Sequence, residues 1–348
     1  MPLLVDNIVV DFDNLELIDR LSLTHKELQS VAKFLRIWCD ASDVIEVKTS
    51  GSTGTPKLIS LPKEAMIKSA LKTAGYFQYK AGDIVLNSLP LDFIAGKMMV
   101  VRAIVSKLTL IVVTPTSLPL EGLGDYNFAF VPMTPYQFHK TLMYDRHQLA
   151  RVQKILLGGG PVTQTIVDQL SDLTPEVYQG YGMTETITHI AVRNLTAGAL
   201  SYSVLPGITV TTGSQRELII EGDHLTERIV TTDIAELQGC REFFWLGRLD
   251  NVINTGGIKV LPEVIENKLK PLLPCDCIII GQEDMELGER VVCILEADSQ
   301  PPHLLELFET HLDKYQRPKA VFLLPRFLRT ETLKIKRKPT LRAALNNY

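Results

Sequence analysis

The stretch Thr49-Ser50-Gly51-Ser52-Thr53-Gly54-Thr55-Pro56-Lys57 decides how the rest of the chain is read. It follows Val44–Lys48, whose alternating apolar residues predict a strand. Its glycines let the backbone fold back so that several N–H groups converge on one anion. Its hydroxyls add neutral donors, and Lys57 adds positive charge. That combination is a polyphosphate cradle. It is not a Walker A loop, because Pro56 stands where that motif needs a second glycine before its lysine. A hydroxyl-rich surface linker ending in a stray lysine shares these residue types, so the remaining chain has to decide.

Working outward, strand-like runs alternate with helical patterns through the first 200 or so residues. Ile84–Ser88, Leu108–Val113, Phe128–Pro132, Val152–Leu157 and Glu176–Tyr178 read as strands, with amphipathic segments such as Lys63–Tyr76 and Thr163–Leu170 between them. Such alternation predicts an α/β sheet with crossover helices. From about Tyr202 to Trp245 short strands separated by turns (Glu217–Glu221, Arg228–Thr232, Glu242–Leu246) predict an antiparallel β subdomain. Past Gly247 the pattern changes once more. Pro262 opens a helix ending near Leu269, and strands Cys277–Ile280, Val291–Glu296 and Ala320–Leu324 with a helix from His303 to Leu312 make a compact α+β unit. The expected fold is therefore α/β, with a large N-terminal domain over 1–249 and a small C-terminal domain over 250–348.

Bulk properties agree with a soluble globular protein. The chain has 348 residues, 45% hydrophobic and 22% charged, enough for two domains with a substantial core. A formal net charge of −4 gives no electrostatic case for nucleic acid or an anionic membrane. Five cysteines, an odd number, predict reduced thiols and a cytoplasmic setting, and Cys275-x-Cys277 is too tight for usual zinc-ligand spacing. No basic leader and no apolar run of transmembrane length is present, so membrane insertion is not expected.

Further motifs decide between cradle and linker. Tyr178-Gln179-Gly180-Tyr181-Gly182-Met183-Thr184-Glu185-Thr186 leaves a strand through glycines that permit close backbone approach to a ligand. It then offers an aromatic face for a base, a hydroxyl for phosphate and a carboxylate for Mg²⁺, with Thr184-Glu185-Thr186 read as a helix start. Thr231-Thr232-Asp233 supplies an acceptor suited to ribose. Gly247-Arg248-Leu249-Asp250-Asn251 precedes Asn254-Thr255-Gly256-Gly257-Ile258-Lys259-Val260, and a basic tail runs Lys334-Ile335-Lys336-Arg337-Lys338. Together and in this order, they resemble the adenylate-forming superfamily of acyl- and aryl-CoA synthetases, luciferases and nonribosomal adenylation domains. The resemblance covers roughly residues 40–348. The portion before Thr49 is much shorter than in typical members, so the fold is expected to be N-terminally shortened.

The resemblance implies an enzyme that joins a carboxylate to ATP, then swings a mobile C-terminal domain so that a thiol takes the acyl group. By motif, Thr49, Ser50, Gly51, Ser52, Thr53, Gly54 and Lys57 would hold ATP phosphates. Thr184 would touch phosphate, Glu185 would bind Mg²⁺, and Tyr181, with Gln179, Gly180 and Gly182, would face adenine. Gly158-Gly159-Gly160 would line the acyl and adenine pockets, Asp233 and Arg248 would bind ribose, and Asp250 would be the hinge. Lys334 would be the catalytic lysine, although Leu333 replaces the glycine usual before it, and Lys336 stays open as an alternative register. Gly256, Gly257 and Lys259 would lie on the CoA side.

The carboxylate substrate is addressed by Arg102, one arginine inside the apolar run Lys97–Val105. A buried cation needs an anion, which is either Asp92 or a second carboxylate on the substrate, with His189 and Arg193 near the same pocket. Length, the Leu156-Leu157-Gly158-Gly159-Gly160-Pro161 segment and Arg102 are most similar to the o-succinylbenzoate–CoA ligases of menaquinone biosynthesis. A general aryl- or short-chain acyl-CoA ligase, an enzyme loading a carrier protein and a non-catalytic nucleotide-binding relative remain open. The implied partners are a small carboxylate, ATP with Mg²⁺, and CoA as co-substrate, and the reading admits a homodimer.

Overall fold

A computed structural model describes residues 2–5, 8–12, 14–48, 58–330 and 335–347. Packing divides the chain into two units: Met1–Val210, Ile220–Ile229 and Cys240–Glu242 in the first, Thr211–Ile219, Val230–Gly239 and Phe243–Tyr348 in the second. Both are mixed α/β structures, as expected.

The strands before the ribbon are β1 (Pro2–Val5), β2 (Ile8–Asp11), β3 (Val44–Lys48), β4 (Leu58–Pro62), β5 (Ile84–Asn87), β6 (Thr109–Val112), β7 (Phe128–Met133), β8 (Val152–Leu157), β9 (Glu176–Gly182), β10 (His189–Asn194) and β11 (Tyr202–Val204). The helices among them are α1 (Leu15–Ser22), α2 (Lys26–Trp38), α3 (Lys63–Phe77), α4 (Ile94–Ser106), α5 (Pro135–Tyr144) and the single turn α6 (Gln164–Val167). In the first unit the sheet runs β11-β10-β9-β8-β7-β5-β6-β1-β2. Pairings from β9 through β8, β7, β5 and β6 to β1 are parallel, while β10 returns antiparallel to β9. The apolar runs Phe128–Met133 and, in the second half of β8, 155–157 reflect burial on both faces, and Phe128, Val131, Ile155, Leu157 and Val177 share one core.

Local chemistry sets the element ends that matter for function. Thr134 and Gln137 form a reciprocal cap on α5: the Gln137 N–H donates to Thr134 Oγ1 (3.1 Å) and the Thr134 N–H donates to Gln137 Oε1 (2.9 Å), with Pro135 in the first turn. The buried Gln137 amide then donates to the carbonyls of Ser88 (3.2 Å) and Thr116 (2.9 Å), fastening the loops beyond β5 and β6. Gly96 lets α4 lie against the Leu89–Pro90 backbone, since a Cβ there would come 2.7 Å from the Leu89 carbonyl oxygen. The expected Thr163–Leu170 segment shrinks to the α6 turn.

Next come β12 (Ile208–Thr212), β13 (Glu217–Gly222), β14 (Ile229–Gln238) and β15 (Glu242–Arg248). In the second unit residues of β14 lie between those of β13 and β15. A separate sheet follows, built from β16 (Ile253–Thr255), β17 (Ile258–Val260), β18 (Cys277–Asp284), β19 (Gly288–Glu296) and β20 (Ala320–Leu324), with helices α7 (Pro262–Leu269), α8 (Leu304–His311) and α9 (Arg337–Asn346). Alternate residues of β18 feed different cores: Cys277 and Ile279 join Ile265 and Leu269, whereas Ile278 joins Phe322 and Ala344. All five cysteines are free, and burial pushes the Cys277 thiol up to about 12. No helix among the described residues is long and apolar enough to cross a membrane.

Candidate active site

Ligands of open parallel sheets bind beyond the carboxyl ends of the strands. At that edge of the first unit, β7 ends at Met133, β8 at Leu157 and β9 at Gly182. The Gly158 N–H donates to the Met133 carbonyl (3.1 Å), and Gly159 takes φ +81°, a left-handed conformation that favours glycine. Leu157 is the register partner of Gln179. Gly158, Gly159 and Gly160 are therefore brought to the same edge as Gln179, Gly180, Tyr181, Gly182, Thr184 and Glu185. Thr49–Lys57 and Lys334 lie outside the described residues.

The Thr184–Thr186 segment is not a helix start. Residues 183–188 form a turn that reverses β9 into β10, with Gly182 opposite His189 and an irregularity between His189 and Ala191. Sequence pattern misses this because the turn depends on Ile187, a buried β-branched residue at φ +67°. Such a residue is a genuine conformational outlier, at a cost of roughly 1–2 kcal/mol. The glycines of this segment also have close neighbours within the sheet. A Cβ on Gly182 would meet the Thr188 carbonyl oxygen and come 2.6 Å from His189 Cα, and one on Gly180 would come 3.3 Å from His189 Cβ. Both glycines admit the close approach of β10. Thr186 is fully buried and knits the turn: its Oγ1 accepts the Met183 N–H (2.9 Å) and lies 2.8 Å from the Thr188 carbonyl. Thr184 is half-buried and Glu185 exposed.

Tyr181 packs edge-on against Tyr202, centroids 5.7 Å apart, while Arg193 lies over the Tyr202 ring at 5.4 Å and donates to Gln179 Oε1 (2.6 Å). Gln179 and Tyr181 thus share a ledge braced by Arg193, whose role the sequence left vague.

Arg102 is only 2% exposed. Asp92 does not meet it: Asp92 precedes α4, and Arg102 stands eight residues inside that helix, about 12 Å along its axis. Arg102 Nη2 donates instead to Thr188 Oγ1 (3.0 Å), Nη1 reaches Met99 Sδ (3.5 Å), and Nε has no hydrogen-bond partner among the described residues. No carboxylate pairs with it among the described residues. Beyond it, Thr188 Oγ1 lies 3.3 Å from His189 Nδ1, His189 Nε2 lies 3.3 Å from Thr73 Oγ1, and the Thr73 hydroxyl reaches the Ser69 carbonyl at 3.2 Å. With Thr73 donating to that carbonyl, the protons order themselves: His189 Nε2–H donates to Thr73, and Nδ1 accepts from Thr188. Burial, then the nearby Arg102 charge, holds His189 well below its ordinary value, so it is neutral. His189 contributes hydrogen bonding to this cluster and no charge. Burial likewise lowers Arg102, and Tyr79, its hydroxyl also buried and unpartnered among the described residues, lies close enough to perturb it. Thr188 and Tyr79 were missed in the sequence because their importance is purely tertiary.

The second unit gathers Asp233, Arg248 and Asp250. The Arg248 guanidinium donates to Asp250 Oδ2 (2.8 Å) and Thr232 Oγ1 (2.6 Å) and stands 3.8 Å from Asp233 Oδ1. Trp245 Nε1–H donates to that same Asp233 oxygen (3.0 Å), an orienting contact that sequence reasoning missed. Burial pulls the Arg248 pKa down, but the Asp250 hydrogen bond with the Asp233 and Glu263 charges outweighs it. Gly256 and Gly257, at φ +58° and +80°, make the two-residue turn between β16 and β17 that only such residues fill easily. Lys259 is exposed beside them, 3.5 Å from Gln215 Oε1, and lines a cleft of about 290 Å³ with Tyr315 and Gln316.

The profile of the AMP-binding enzyme family matches residues 7–214. The chain belongs to the AMP-binding enzymes. Among curated relatives of this AMP-binding enzyme, a probable 2-succinylbenzoate–CoA ligase from Mycobacterium tuberculosis is 28% identical over 300 residues, 78% of this chain and 76% of that protein. The 2-succinylbenzoate–CoA ligase of Escherichia coli is 25% identical over 307 residues, covering 83% of this chain and 66% of its own length. Among solved structures, an acyl-CoA synthetase (AMP-forming)/AMP-acid ligase II-like protein from Dyadobacter fermentans is 32% identical (TM-score 0.63), covering 91% of this chain and 94% of that one. The o-succinylbenzoate coenzyme A synthetase of Bacillus subtilis, in complex with ATP and magnesium ion, is 21% identical (TM-score 0.75), covering 85% and 69%. The fold is that of adenylate-forming enzymes.

Proposed function

We propose that this AMP-binding enzyme is an AMP-forming acid–thiol ligase that activates o-succinylbenzoate through its acyl-adenylate and passes the acyl group to CoA, as in menaquinone biosynthesis. The observation that carries the substrate is Arg102, a buried guanidinium beside the nucleotide-side turn with no carboxylate of its own among the described residues. Leaving a buried charge uncompensated costs roughly 3–5 kcal/mol, and a guanidinium fork is matched by a carboxylate. A dicarboxylate offers one group to Arg102 and the other to ATP.

Attack of a carboxylate on the α-phosphorus brings two anions together, so a cation placed there only in that state lowers the barrier. We assign that cation to Lys334 and the phosphate cradle to Thr49–Lys57. Glu185 is exposed and no ion pair holds it among the described residues, and Mg²⁺ commonly takes one or two carboxylates with substrate phosphates and water. It therefore fits as the metal ligand, Mg²⁺ supplying charge neutralisation on the phosphates. Thr184 would donate to phosphate, Tyr181 and Gln179 would face adenine beside Gly158–Gly160, and Asp233 with Arg248 would hold ribose. We place the pivot between domains 1–249 and 250–348 at Asp250, with Lys259 on the CoA side, and read the protein as cytoplasmic from its free cysteines.

A panel of o-succinylbenzoate, benzoate and short fatty acids, each with ATP, Mg²⁺ and free CoA, tests the reading. We expect thioester and AMP with strong preference for the dicarboxylate. Equal turnover across the panel would contradict the substrate, and no thioester with free CoA would contradict the ligase.

A further inference from the structure

We propose that Arg193 is a positioning residue for the adenine end of the nucleotide, acting through Gln179 and, by way of Tyr202, through Tyr181; this rests on the assignment of Gln179 and Tyr181 to adenine made above. The strand period puts Gln179 and Tyr181 on one face of β9 and Tyr178 on the other, where it packs edge-on against Phe77 with centroids 5.1 Å apart. Arg193 of β10 is the register partner of Gln179, and Tyr202 of β11 stands one step beyond the Val192–Ser203 pair. Gln179, Arg193 and Tyr202 therefore make one row across three strands. In the next row on that face Tyr181 stands opposite Ala191, whose small side chain leaves room for the Tyr181 and Tyr202 rings to meet.

The middle of the row carries the inference. Arg193 Nη2 donates to Gln179 Oε1 at 2.6 Å, its guanidinium lies 5.4 Å from the Tyr202 centroid, and Nε is buried with no hydrogen-bond partner among the described residues. No carboxylate pairs with Arg193 among those residues either, so its charge is not spent on an acid. A guanidinium has no acceptor, which obliges the Gln179 amide to turn its oxygen toward it. The –NH2 is then the end that Arg193 leaves for a ligand. An –NH2 only donates, and ring nitrogens of adenine such as N7 and N3 accept. The cation on the amide oxygen also polarises that amide and strengthens what its –NH2 can give. The second arm runs through rings. Arg193 holds Tyr202 by its face, and Tyr202 sets the Tyr181 ring edge-on at 5.7 Å. A flat base would thus meet one oriented donor and one oriented ring. An arginine serving the acyl pocket, or the fold alone, would have no reason to favour nucleotide over carboxylate.

The test is AMP binding by calorimetry, with carboxylate KM in pyrophosphate exchange and thermal midpoints beside it. The variants are Arg193→Met, alone and combined with Gln179→Ala, and Tyr202→Phe and Tyr202→Leu. Arg193→Met should weaken AMP about tenfold, the order lost with the charged partner of one hydrogen bond, while the carboxylate KM stays within about twofold. In the Gln179→Ala background the same change should cost less than about threefold further, because residues that act through one another are not additive. Tyr202→Phe keeps the ring and should bind AMP within about twofold of the parent, whereas Tyr202→Leu should lose about fivefold. A carboxylate KM that rises as far as the AMP constant, an equal loss in both backgrounds, a change in thermal midpoint alone, or Phe and Leu variants that behave alike would overturn the proposal. Should Arg193→Met not fold, the Tyr202 pair decides it by the same split between AMP and carboxylate. A parent protein that binds no AMP would bring down the underlying nucleotide reading, a result distinct from a parent that binds normally and an Arg193→Met variant that matches it.

Discussion

Arg102 and Arg248 are the same residue in opposite surroundings. Arg248, in the second unit, is partly exposed and ringed by Asp250, Asp233 and Thr232, and the carboxylates of Asp250 and Asp233 with that of Glu263 hold its pKa above the ordinary value against the pull of burial. Arg102, in the first unit, is buried with Thr188, Met99 and Tyr79 around it, and burial lowers its pKa. One arginine has its own anions and serves to organise them. The other has no anion among the described residues, and the proposal is that the substrate brings one. The difference teaches that a binding role is legible in what a charged group is missing rather than in what it touches.

The sharpest way to break the comparison is Arg102→Ala. Loss of a buried charge-assisted contact should raise KM for o-succinylbenzoate about 100-fold, near 2.7 kcal/mol, with benzoate changed less than about threefold. Equal effects on both acids would make Arg102 structural, like Arg248. The mirror experiment is Arg248→Ala. Because solvent and neighbouring carboxylates already screen that site, KM for ATP should rise only about tenfold and the carboxylate KM should not move. A large carboxylate effect there would erase the contrast.

A smaller effect concerns pH. Folded His189 binds a proton well below the ordinary value of 6.5, burial being the main cause and Arg102 the second. Below about 6.5 the unfolded chain therefore takes up a proton that the folded one refuses. Stability from this site is full above that pH and falls as pH drops, by up to about 1.4 kcal/mol per unit. Denaturant midpoints between pH 8 and 5 should show the decline, and His189→Gln should flatten it by about one proton. His224, also lowered, would supply the remaining slope. An unchanged slope would mean that His189 carries its proton when folded.

Local signals made much of this legible from the chain alone. The strands Val44–Lys48, Val152–Leu157 and Ala320–Leu324 and the helix Pro262–Leu269 carry their boundaries in apolar runs and a proline at the first helical turn, and the structure places them there. Arg102 was visible as an ionic residue in an apolar helix, because its cost is independent of context. Beyond His189, which the sequence analysis sets near the same pocket, its surroundings are not legible there, since Thr188 and Tyr79 reach it through tertiary packing. The 183–188 turn was misread for a related reason: no propensity places a β-branched residue at positive φ, and only the clamped loop around Ile187 overrides that preference. Nothing in the sequence marks Trp245, whose indole N–H donates to Asp233 only through tertiary packing.

The central claim is that Arg102 is a costly buried charge kept for an incoming carboxylate. Thermal unfolding of the parent and of Arg102→Met, each with and without o-succinylbenzoate, tests it directly. Without ligand, the variant should unfold about 2 °C or more above the parent, because a similar-sized apolar chain needs no counter-ion. Added dicarboxylate should raise the midpoint of the parent only. An Arg102→Met protein that unfolds several degrees lower, and still gains the full ligand shift, would contradict the account.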